Sequence, residues 1–583
     1  MPGLHLSNSN RLERLVDNLF EVVSTPLGSP LAGEVIIVQN RGMARWLTRE
    51  LASRAGIWAN PSFPFPNRFV EEILGRIFPE SAPGSLADLS QTTWRLAKLV
   101  AESCQLPGFE SLRHYLGDEL DDLILRLKRA LGTECVSTDP AELVAYAYDA
   151  TGLEGRPRAV AHALNTRDVS VLLALADEAR VPVYPRGAGS GLTGGSVPSQ
   201  EGIVLDLSGM RRIVSIEPEN LTAVVEPGVV VAELQKAEEK VGLFYPPDPA
   251  SSDFATIGGT IAECAGGLRA FKYGVTRDYV LSLEAVLPGG VMFRTGTATM
   301  KNVTGYDLTR LLVGSEGTLA VITQATLKLI PLPEAAAAAL AFFNSEKEAI
   351  ESVNRIVAAG FHPRALEFID KNTYEAVCGH EKFDYPPSVE GTLLVEVDGP
   401  KCYVGGALDS IVELLRAGGA FKVAEARDAP SREELWRFRK AVSPALLSRW
   451  AARVNEDICV PRSRLVETFA ALHRIGLEQG VEIANFGHLG DGNIHVNILL
   501  KTHESVEREH AHQVAVLIFK ETVRVGGTLS GEHGIGMTKA AFLDIELSKT
   551  VLELMRSVKR LFDPKGILNP GKVFPMESRG ERE

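Results

Sequence analysis

The chain has 583 residues, more than one hydrophobic core usually organises, so we expect two or three domains. Its net charge of −13 at pH 7 argues against a general nucleic-acid-binding surface. The six cysteines include no C-x-x-C pair, which argues against an iron–sulfur cluster or a zinc ribbon, and no uncharged apolar run is long enough to span a membrane.

The first 120 residues have the helix–strand order of an α/β fragment. Apolar spacing predicts helices over residues 10–23 and 43–55 and a short buried strand over residues 35–38. The segments SNRLERLVDNLF, VIIVQNRGMARWLTRELASRAGIWANPSFPFPNRF and LRHYL resemble the N-terminus of the exodeoxyribonuclease V gamma chain (RecC). That resemblance implies a helicase-like fold of which only the first part is present. We interpret residues 1–120 as a gene fusion, an interaction module or a remnant.

The next segment joins this fragment to a second domain. An acidic stretch at residues 117–122 predicts an exposed link, and residues 123–131 predict a short amphipathic helix. Two capped helices should follow, the first starting at Thr138 or Asp139 and the second in NTRDVSVLLALADEARV.

Residues 181–195 read VPVYPRGAGSGLTGG and contain five glycines. Successive backbone N–H groups in such a run converge on a phosphate, and a flexible surface loop is the alternative. Gly189, Gly191 and Gly194 match the dinucleotide fingerprint G-x-G-x-x-G, but a Rossmann domain needs a helix directly after these glycines. A strand pattern at residues 203–205 follows instead. We therefore predict a phosphate-binding loop between two strands.

Short strands continue to about residue 330, interrupted by a long irregular segment at residues 246–280. Loops of this length inside a compact domain are usually functional, and this one contains glycine pairs at 258–259 and 266–267. After residue 333, helical and strand patterns alternate, which predicts an antiparallel sheet faced by helices.

Two histidines and a carboxylate form a candidate metal site. His488 and His495 lie in GHLGDGNIHVNIL, where Asp-Gly predicts a turn that brings two extended arms together. His495 and Asn497 should share one face of the second arm. Glu532 comes from the glycine-hinged segment SGEHGIG. Such an incomplete ligand set leaves positions open for a substrate and suits zinc, manganese or ferrous iron.

Seven segments taken in chain order resemble the FAD-linked oxidases: PRGAGSGLTGG, YPPDPASSDFATIGGTIAECAGG, KYGVTRDYV, KNVTGYDLTRLLVGSEGTLAVIT, GHLGDGNIHVN, SGEHGIG and LFDPKGILNPGKVF. That family has a flavin domain of the vanillyl-alcohol-oxidase (PCMH) type. The glycolate oxidase flavin subunit is most similar, with D-lactate and D-2-hydroxyglutarate dehydrogenases as relatives. We predict an α+β chain with a RecC-like fragment (1–120), a PCMH-type FAD-binding domain (121–333), an α+β cap domain for substrate and metal (334–575) and a tail (576–583).

The resemblance places the flavin at the glycine-rich loop and at the loops around TIGG and AGG. The cofactor-binding residues implied in this way are Pro185, Arg186, Gly187, Ala188, Gly189, Ser190, Gly191, Gly194, Gly195, Pro247, Asp248, Thr256, Gly258, Gly259, Gly266, Gly267, Glu316, Gly317 and Ile322. Several relatives attach the flavin through a histidine. Because no histidine occurs between His162 and His362, we predict non-covalent FAD. Attachment through Cys264 is the less favoured alternative. Close relatives more often have asparagine at this position, so a polar contact near the cofactor is in question.

The resemblance also implies a reaction on a small 2-hydroxy acid. The metal lowers the pKa of the substrate hydroxyl, His533 acts as the general base, and the flavin takes the hydride. Arg439 matches a family arginine that holds the substrate carboxylate, and Ser443 and Asn497 are further predicted substrate contacts.

The substrate prediction is glycolate or D-lactate. Some 2-hydroxyglutarate relatives carry a lysine for the second carboxylate where this chain has Asn455, followed by Glu456 and Asp457. These residues argue against a dicarboxylate.

We expect a cytoplasmic protein, since the N-terminus has no signal pattern. The family implies a separate iron–sulfur subunit as electron acceptor and peripheral association with the inner membrane through that partner. A homodimer is a further expectation. Two other hypotheses are a fused DNA-repair subunit and a catalytically silent flavoprotein scaffold. The acidic charge argues against the first, and the presence of His488, His495 and Glu532 argues against the second.

Overall fold

The computed structural model describes residues 16–17, 19–20, 36–37, 41–55 and 119–575. The chain divides into two compact units, Met1–Leu116 and Gly117–Glu583.

In the first unit, helix α1 covers Arg41–Ala55, as its apolar spacing predicts. Leu47 and Leu51 are buried on one side of this helix. Ile36 and Ile37, the described residues of the predicted strand, belong to no strand, and Ile37 is 46% exposed. That part of the strand prediction is wrong, because β-structure requires backbone pairing with a neighbour, and neither residue has such a pairing within the described ranges.

Two other N- and C-terminal predictions fall largely outside the described residues. The helix expected over residues 10–23 is described only at residues 16–17 and 19–20, which are helical. The predicted tail at residues 576–583 lies outside the described residues.

The second unit begins with a four-stranded sheet in the order β1-β2-β4-β3. Strands β2, β4 and β3 run parallel, and β1 pairs antiparallel with β2. Two helices, α2 and α4, pack on this sheet around a shared apolar core. The elements are α2 (Glu119–Leu131), β1 (Val136–Ser137), α3 (Pro140–Ala145), β2 (Ala159–His162), α4 (Thr166–Ala179), β3 (Val183–Arg186) and β4 (Ile203–Asp206).

Helix α2 starts four residues earlier than predicted. Residues 119–122, expected to form an exposed link, are helical because Leu120 continues the buried stripe of Leu123 and Leu127. The caps of the next two helices are as predicted: the Asp139 side chain accepts from the Ala141 N–H, and an asparagine caps α4.

An antiparallel five-stranded sheet follows in the order β5-β6-β10-β8-β9, beside a β7–β11 pair. Its apolar face packs against α5, α6 and the C-terminal helix α17. The elements are β5 (Ile213–Glu217), β6 (Thr222–Val225), α5 (Val231–Glu239), β7 (Leu243–Phe244), α6 (Ile257–Glu263), α7 (Ala270–Tyr273), β8 (Val280–Val286), β9 (Met292–Gly296), α8 (Leu308–Leu312), β10 (Val321–Lys328) and β11 (Ile330–Pro331).

A seven-stranded antiparallel sheet forms the next layer, in the order β15-β12-β14-β13-β17-β18-β16. Helices cover both faces, so the sheet separates two apolar cores. This is the predicted antiparallel sheet faced by helices. The elements are β12 (Ala335–Phe343), α9 (Glu346–Ala358), β13 (Ala365–Asp370), α10 (Lys371–His380), β14 (Gly391–Gly399), α11 (Lys401–Ala417), β15 (Ala420–Ala426), α12 (Ala429–Lys440), α13 (Val442–Arg449), β16 (Ala452–Cys459), α14 (Leu465–Gln479), β17 (Glu482–His488), β18 (Asn493–Leu500), α15 (Ser505–Arg524), α16 (Leu543–Glu546) and α17 (Lys549–Phe562).

The end of the chain returns to the four-stranded sheet. The Val183 N–H donates to the Ile567 carbonyl, and the Asn569 N–H donates to the Val183 carbonyl. Lys572 Nζ donates to the Val197 carbonyl behind the glycine-rich loop. Residues of the last segment therefore support the first sheet and the loop that follows β3.

Candidate active site

A cavity of about 790 Å³ lies between the glycine-rich loop, the start of α6 and the seven-stranded sheet. This volume is within the range of about 300–1,000 Å³ found for ligand sites. All of its lining residues belong to the second unit.

The glycine-rich loop connects the parallel strands β3 and β4 without an intervening helix. This is the setting predicted for a phosphate-binding loop, and it excludes a Rossmann crossover. Gly189 has a φ of +68°, and a Cβ there would lie 2.3 Å from Nη2 of Arg186. A Cβ at Gly187 would lie 2.2 Å from Oγ1 of Thr256. Glycine is therefore required where the loop folds over Arg186 and against α6.

Most of the predicted cofactor residues line this cavity. Those that do are Pro185, Arg186, Gly187, Ala188, Gly189, Ser190, Gly191, Gly195, Asp248, Thr256, Gly258, Gly259, Gly266, Glu316, Gly317 and Ile322. The other three, Gly194, Pro247 and Gly267, do not line the cavity. A Cβ at Gly267 would lie 2.1 Å from the Asp248 carbonyl oxygen, so this glycine permits close packing of two backbone segments.

Cys264 ends α6 in the left-handed conformation, with a φ of +56°. Asparagine tolerates this conformation better than most residues, so the backbone here would also accept an asparagine. Glu263 and Ala265 line the cavity, whereas Cys264 does not. Burial raises the pKa of the Cys264 thiol, which disfavours the reactive thiolate. These observations argue against flavin attachment through Cys264.

Three donor atoms converge at the cavity wall formed by the hairpin β17–β18. Nε2 of His488 lies 3.3 Å from Nε2 of His495, and Oε1 of Glu532 lies 3.4 and 3.5 Å from these two atoms. The two histidines are buried, so the donors face one another away from bulk water. We call these three side chains the donor triangle.

The hairpin has the predicted arrangement. Its turn includes Asp491 and Gly492, and Phe486 pairs with His495 across it. Ile494 and Val496 face the apolar core on the opposite side from His495. The predicted ligands are thus brought together by strand alternation and one tight turn.

Glu367 of β13 fixes the orientation of His488. Its Oε1 lies 2.6 Å from Nδ1 of His488, and its Oε2 accepts from Nε of Arg439 at 2.9 Å. Because the carboxylate holds Nδ1, Nε2 of His488 faces the other two atoms of the donor triangle. A carboxylate on the second ring nitrogen is the usual outer contact of a metal-bound histidine. The guanidinium of Arg439 also lies over the Phe486 ring, 4.8 Å from its centroid.

The electrostatics of the donor triangle suit a cation. Burial alone would lower the pKa of His488, but the charges of Glu367 and Glu532 raise it well above its ordinary value. Burial, reinforced by His488, lowers the pKa of His495 to about 3. Burial would raise the pKa of Glu532, and His488 outweighs it, so that this pKa falls to about 2. In the absence of a metal, His488 therefore carries a proton that faces the carboxylate of Glu532 and the neutral imidazole of His495.

The segment around His533 is held by two buried carboxylates. Oδ2 of Asp457 accepts from the backbone N–H groups of residues 531, 532 and 533 at 2.7–2.9 Å. The carboxylate of Glu316 accepts from the backbone N–H groups of Ile535 and Gly536, both at 2.7 Å. We call residues 530–537 the clasped loop. Both carboxylates are engaged by backbone donors, so Asp457 serves as an anchor although its oxygens lie near the donor triangle.

His533 lies beside the donor triangle. Its ring stacks on that of His495 with centroids 5.2 Å apart, and both side chains line the cavity. The His533 carbonyl accepts from Oγ1 of Thr193 in the glycine-rich loop at 3.1 Å.

Three predicted substrate contacts have distinct positions. Arg439 and Ser443 line the cavity, whereas Asn497 is fully buried and does not. Asn497 Nδ2 donates to two backbone carbonyls, and its Oδ1 accepts from Asn455 Nδ2. The amide of Asn497 therefore orients Asn455, which lines the cavity.

The acidic residues after Asn455 do not oppose an anionic substrate. Glu456 lies 3.8 Å from Nζ of Lys539 and does not line the cavity, and Asp457 is engaged by the clasped loop. The argument against a dicarboxylate from these two acids is therefore wrong, because both side chains are committed elsewhere.

Sequence reasoning missed several residues of the site. Glu367 and Asp457 orient other residues, and Arg453 and Phe486 line the cavity. Strand alternation could have found Arg453, which lies two residues before Asn455 on the same face of β16. Glu367 gave no signal, because it is surrounded by apolar residues in ALEFID.

Comparisons with known proteins identify the family to which the chain belongs. The family of FAD linked oxidases, C-terminal domain, matches residues 332–573, and the FAD binding domain matches residues 157–296. The chain belongs to the FAD-linked oxidases and is an FAD-dependent oxidoreductase. The RecC N-terminal domain matches residues 4–130, as the resemblance of the first segment predicts.

Individual relatives cover most of the chain. The glycolate oxidase subunit GlcD of Bacillus subtilis is 40% identical over 79% of this chain and 98% of the relative. A D-lactate dehydrogenase of Archaeoglobus fulgidus is 38% identical over 74% of this chain and 95% of its own length. A D-lactate dehydrogenase of Anaerostipes hadrus is 35% identical over 73% of this chain and 92% of its own length.

Solved structures confirm the fold. p-Cresol methylhydroxylase matches with a TM-score of 0.66 at 18% identity, covering 79% of this chain and 97% of that one. An alkyldihydroxyacetonephosphate synthase matches with a TM-score of 0.60 at 20% identity, covering 77% of this chain and 84% of that one. The predicted PCMH-type flavin fold is therefore correct. Among the described residues, no helix is long and apolar enough to cross a membrane.

Proposed function

We propose that this oxidoreductase converts a small D-2-hydroxy acid to the 2-oxo acid, using non-covalent FAD and a divalent metal. The observation that carries the proposal is the donor triangle, whose atoms lie 3.3–3.5 Å apart in the same cavity as the glycine-rich loop. The names of the relatives, glycolate oxidase subunit and D-lactate dehydrogenase, support glycolate and D-lactate as substrates.

The glycine-rich loop and the start of α6 fit the FAD pyrophosphate. Both line the cavity with glycines, whose lack of side-chain bulk lets the backbone approach an anionic group closely. When bound, FAD supplies the hydride acceptor of the reaction.

The donor triangle would hold the metal, with zinc, manganese and ferrous iron all compatible with two nitrogens and one oxygen. Its chemistry is to lower the pKa of the substrate hydroxyl. Arg439 and Ser443 line the same cavity, and Arg439 orients the substrate carboxylate through hydrogen bonds.

We assign the general base to His533. Its ring lies against His495, next to the position where the hydroxyl would bind. The clasped loop fixes its backbone, and its imidazole takes the hydroxyl proton while the Cα hydride leaves.

Anaerobic bleaching of the flavin by a panel of D- and L-2-hydroxy acids tests the proposal, together with metal analysis of the purified protein. We expect bleaching by at least one D-acid and about one metal per chain. Absence of flavin bands after reconstitution with FAD, or no bleaching by any acid, would contradict it.

His533→Ala tests the general base. General bases contribute about 10²–10⁴-fold in rate, so flavin reduction should fall by that factor while FAD stays bound. His473→Ala is the matched control, since His473 is half exposed on α14 and pairs with Glu346. Unchanged reduction in His533→Ala would remove this assignment.

Electron transfer to a separate iron–sulfur subunit is a further part of the proposal. The described cysteines are free thiols spread over the fold, namely Cys135, Cys264, Cys378, Cys402 and Cys459. Co-purification of an iron–sulfur protein that reoxidises the reduced flavin would support this route.

A further inference from the structure

Arg453 brings an uncompensated positive charge to the cavity. Its Nη2 donates to Oγ of Ser443 at 2.7 Å, and this neutral hydroxyl is its one hydrogen-bonded side chain among the described residues. Its Nη1 is buried and has no partner in the described part of the chain. Burial lowers the pKa of Arg453, and no described carboxylate forms an ion pair with it. A largely buried charge with no carboxylate partner is costly, so this guanidinium calls for an anion.

Arg439 differs from Arg453 in this respect. Its guanidinium is paired with Glu367 through Nε and Nη2, both 2.9 Å from the carboxylate. Glu367 is fully buried, so the charge of Arg439 is balanced within the protein. Arg453 is therefore the stronger anion-binding group of the two.

The strand β16 fixes where that anion would bind. Arg453, Asn455 and Asp457 occupy alternate positions of one face, and Asp457 pairs with His495. Four strand residues span about 13 Å, so Arg453 is set well away from the donor triangle along the sheet. The cavity is continuous between them, lined by Asn455, and Lys440 adds a positive charge to the lining.

We infer that Arg453, with Ser443, forms a subsite for a second carboxylate, at the end of the substrate opposite its hydroxyl group. This inference rests on the proposed function and extends its substrates from glycolate and D-lactate to 2-hydroxy dicarboxylates of four or five carbons. The donor triangle and Arg439 serve the hydroxyl end, and Arg453 serves the distal end.

The test compares substrates of equal length that differ only in the distal carboxylate. D-2-Hydroxyglutarate is paired with D-2-hydroxyvalerate, and D-malate with D-2-hydroxybutyrate, in anaerobic flavin reduction by the holoenzyme. The parent protein should prefer each dicarboxylate. Arg453→Gln should raise KM for the dicarboxylates about 10- to 100-fold, as expected for a lost charged hydrogen bond, and leave the monocarboxylates unchanged. Arg453→Lys should restore part of the preference. Arg449→Gln, which alters an exposed arginine of α13, should match the parent protein.

Three outcomes overturn the inference. Equal losses for both members of a pair would mean that Arg453 binds the carboxylate next to the hydroxyl. A changed flavin spectrum or weaker FAD binding in both Arg453 variants would mean that it contacts the cofactor. No change in any KM would leave the subsite without function. Failure of the proposed function itself would be recognised separately, because none of the 2-hydroxy acids would then reduce the flavin of the parent protein.

Discussion

At the scale of single residues, one buried carboxylate serves two side chains of the site. One oxygen of Glu367 is in hydrogen-bond contact with Nδ1 of His488, and the other accepts from the guanidinium of Arg439. Removing its charge leaves a buried arginine unpaired and His488 without an orienting partner. Glu367 is thus a positioning residue.

Glu367→Gln should weaken metal binding about 10- to 100-fold, the usual effect of losing an outer-sphere partner. Metal titration of the apoprotein measures this, with FAD content as a check on folding. Glu390→Gln, which alters an exposed carboxylate paired with Lys371, should bind metal like the parent protein. Equal metal affinity in Glu367→Gln would refute the positioning role.

Single residues also show what the sequence could predict. The Asp-Gly turn and the alternation of β18 were enough to place His488 beside His495, because both signals are local. Glu367 and Arg439 are 72 residues apart, and Thr193 and His533 are 340 apart. Contacts over such separations depend on how sheets pack, which no local pattern encodes.

At the scale of elements, the clasped loop depends on glycine geometry. Gly536 has a φ of +52°, and a Cβ there would lie 2.1 Å from the Thr193 carbonyl oxygen. The loop therefore approaches the glycine-rich loop more closely than any side chain permits.

Gly536→Ala should displace the clasped loop and reduce flavin reduction by more than tenfold. Gly526→Ala is a matched control, since Gly526 has a φ of +83° but a Cβ there would meet no described atom within 4 Å. Both variants carry the strain of a left-handed alanine, about 1–2 kcal/mol, and only Gly536→Ala adds the clash. Equal activity of the two variants would show that the close approach is unimportant.

Helix α5 carries a buried glutamate that makes stability depend on pH. Glu238 accepts from the Tyr245 N–H through one oxygen, and its other oxygen has no partner among the described residues. Burial raises the pKa of Glu238 to about 8. Between pH 4.5 and 8, the unfolded chain is ionised there while the folded chain keeps the proton.

The folded state therefore loses stability as pH rises through this window, by at most about 1.4 kcal/mol per pH unit from this group. Glu238→Gln removes the titration, so its melting temperature should exceed that of the parent protein by a margin that grows from about pH 5 to about pH 8. Thermal unfolding at several pH values measures this margin. A margin that is constant with pH would contradict the raised pKa.

At the scale of the whole molecule, the second unit contains every residue that lines the cavity. The RecC-like segment contributes none of them, and the family matches for FAD binding and oxidation begin at residue 157.

A chain that starts at Gly117 should bind FAD and reduce it with the same substrates, within about twofold of the full chain. The measurement is flavin absorbance and anaerobic bleaching of both proteins. Salt-dependent DNA affinity that is lost with residues 1–116 would favour the DNA-repair hypothesis for that segment. Loss of flavin binding in the shortened chain would contradict the independence of the second unit.

The return of the C-terminal segment to the first sheet has a consequence for biosynthesis. The glycine-rich loop is synthesised early, yet Asn569 and Lys572, which donate to the carbonyls of Gly195 and Val197 behind it, follow these residues by 374 and 375 positions. The cofactor site therefore cannot be completed until the segment around Asn569 has been synthesised. A chain that stops before Ile567 would leave β3 without its backbone hydrogen bonds to this segment, and we expect it to bind FAD poorly.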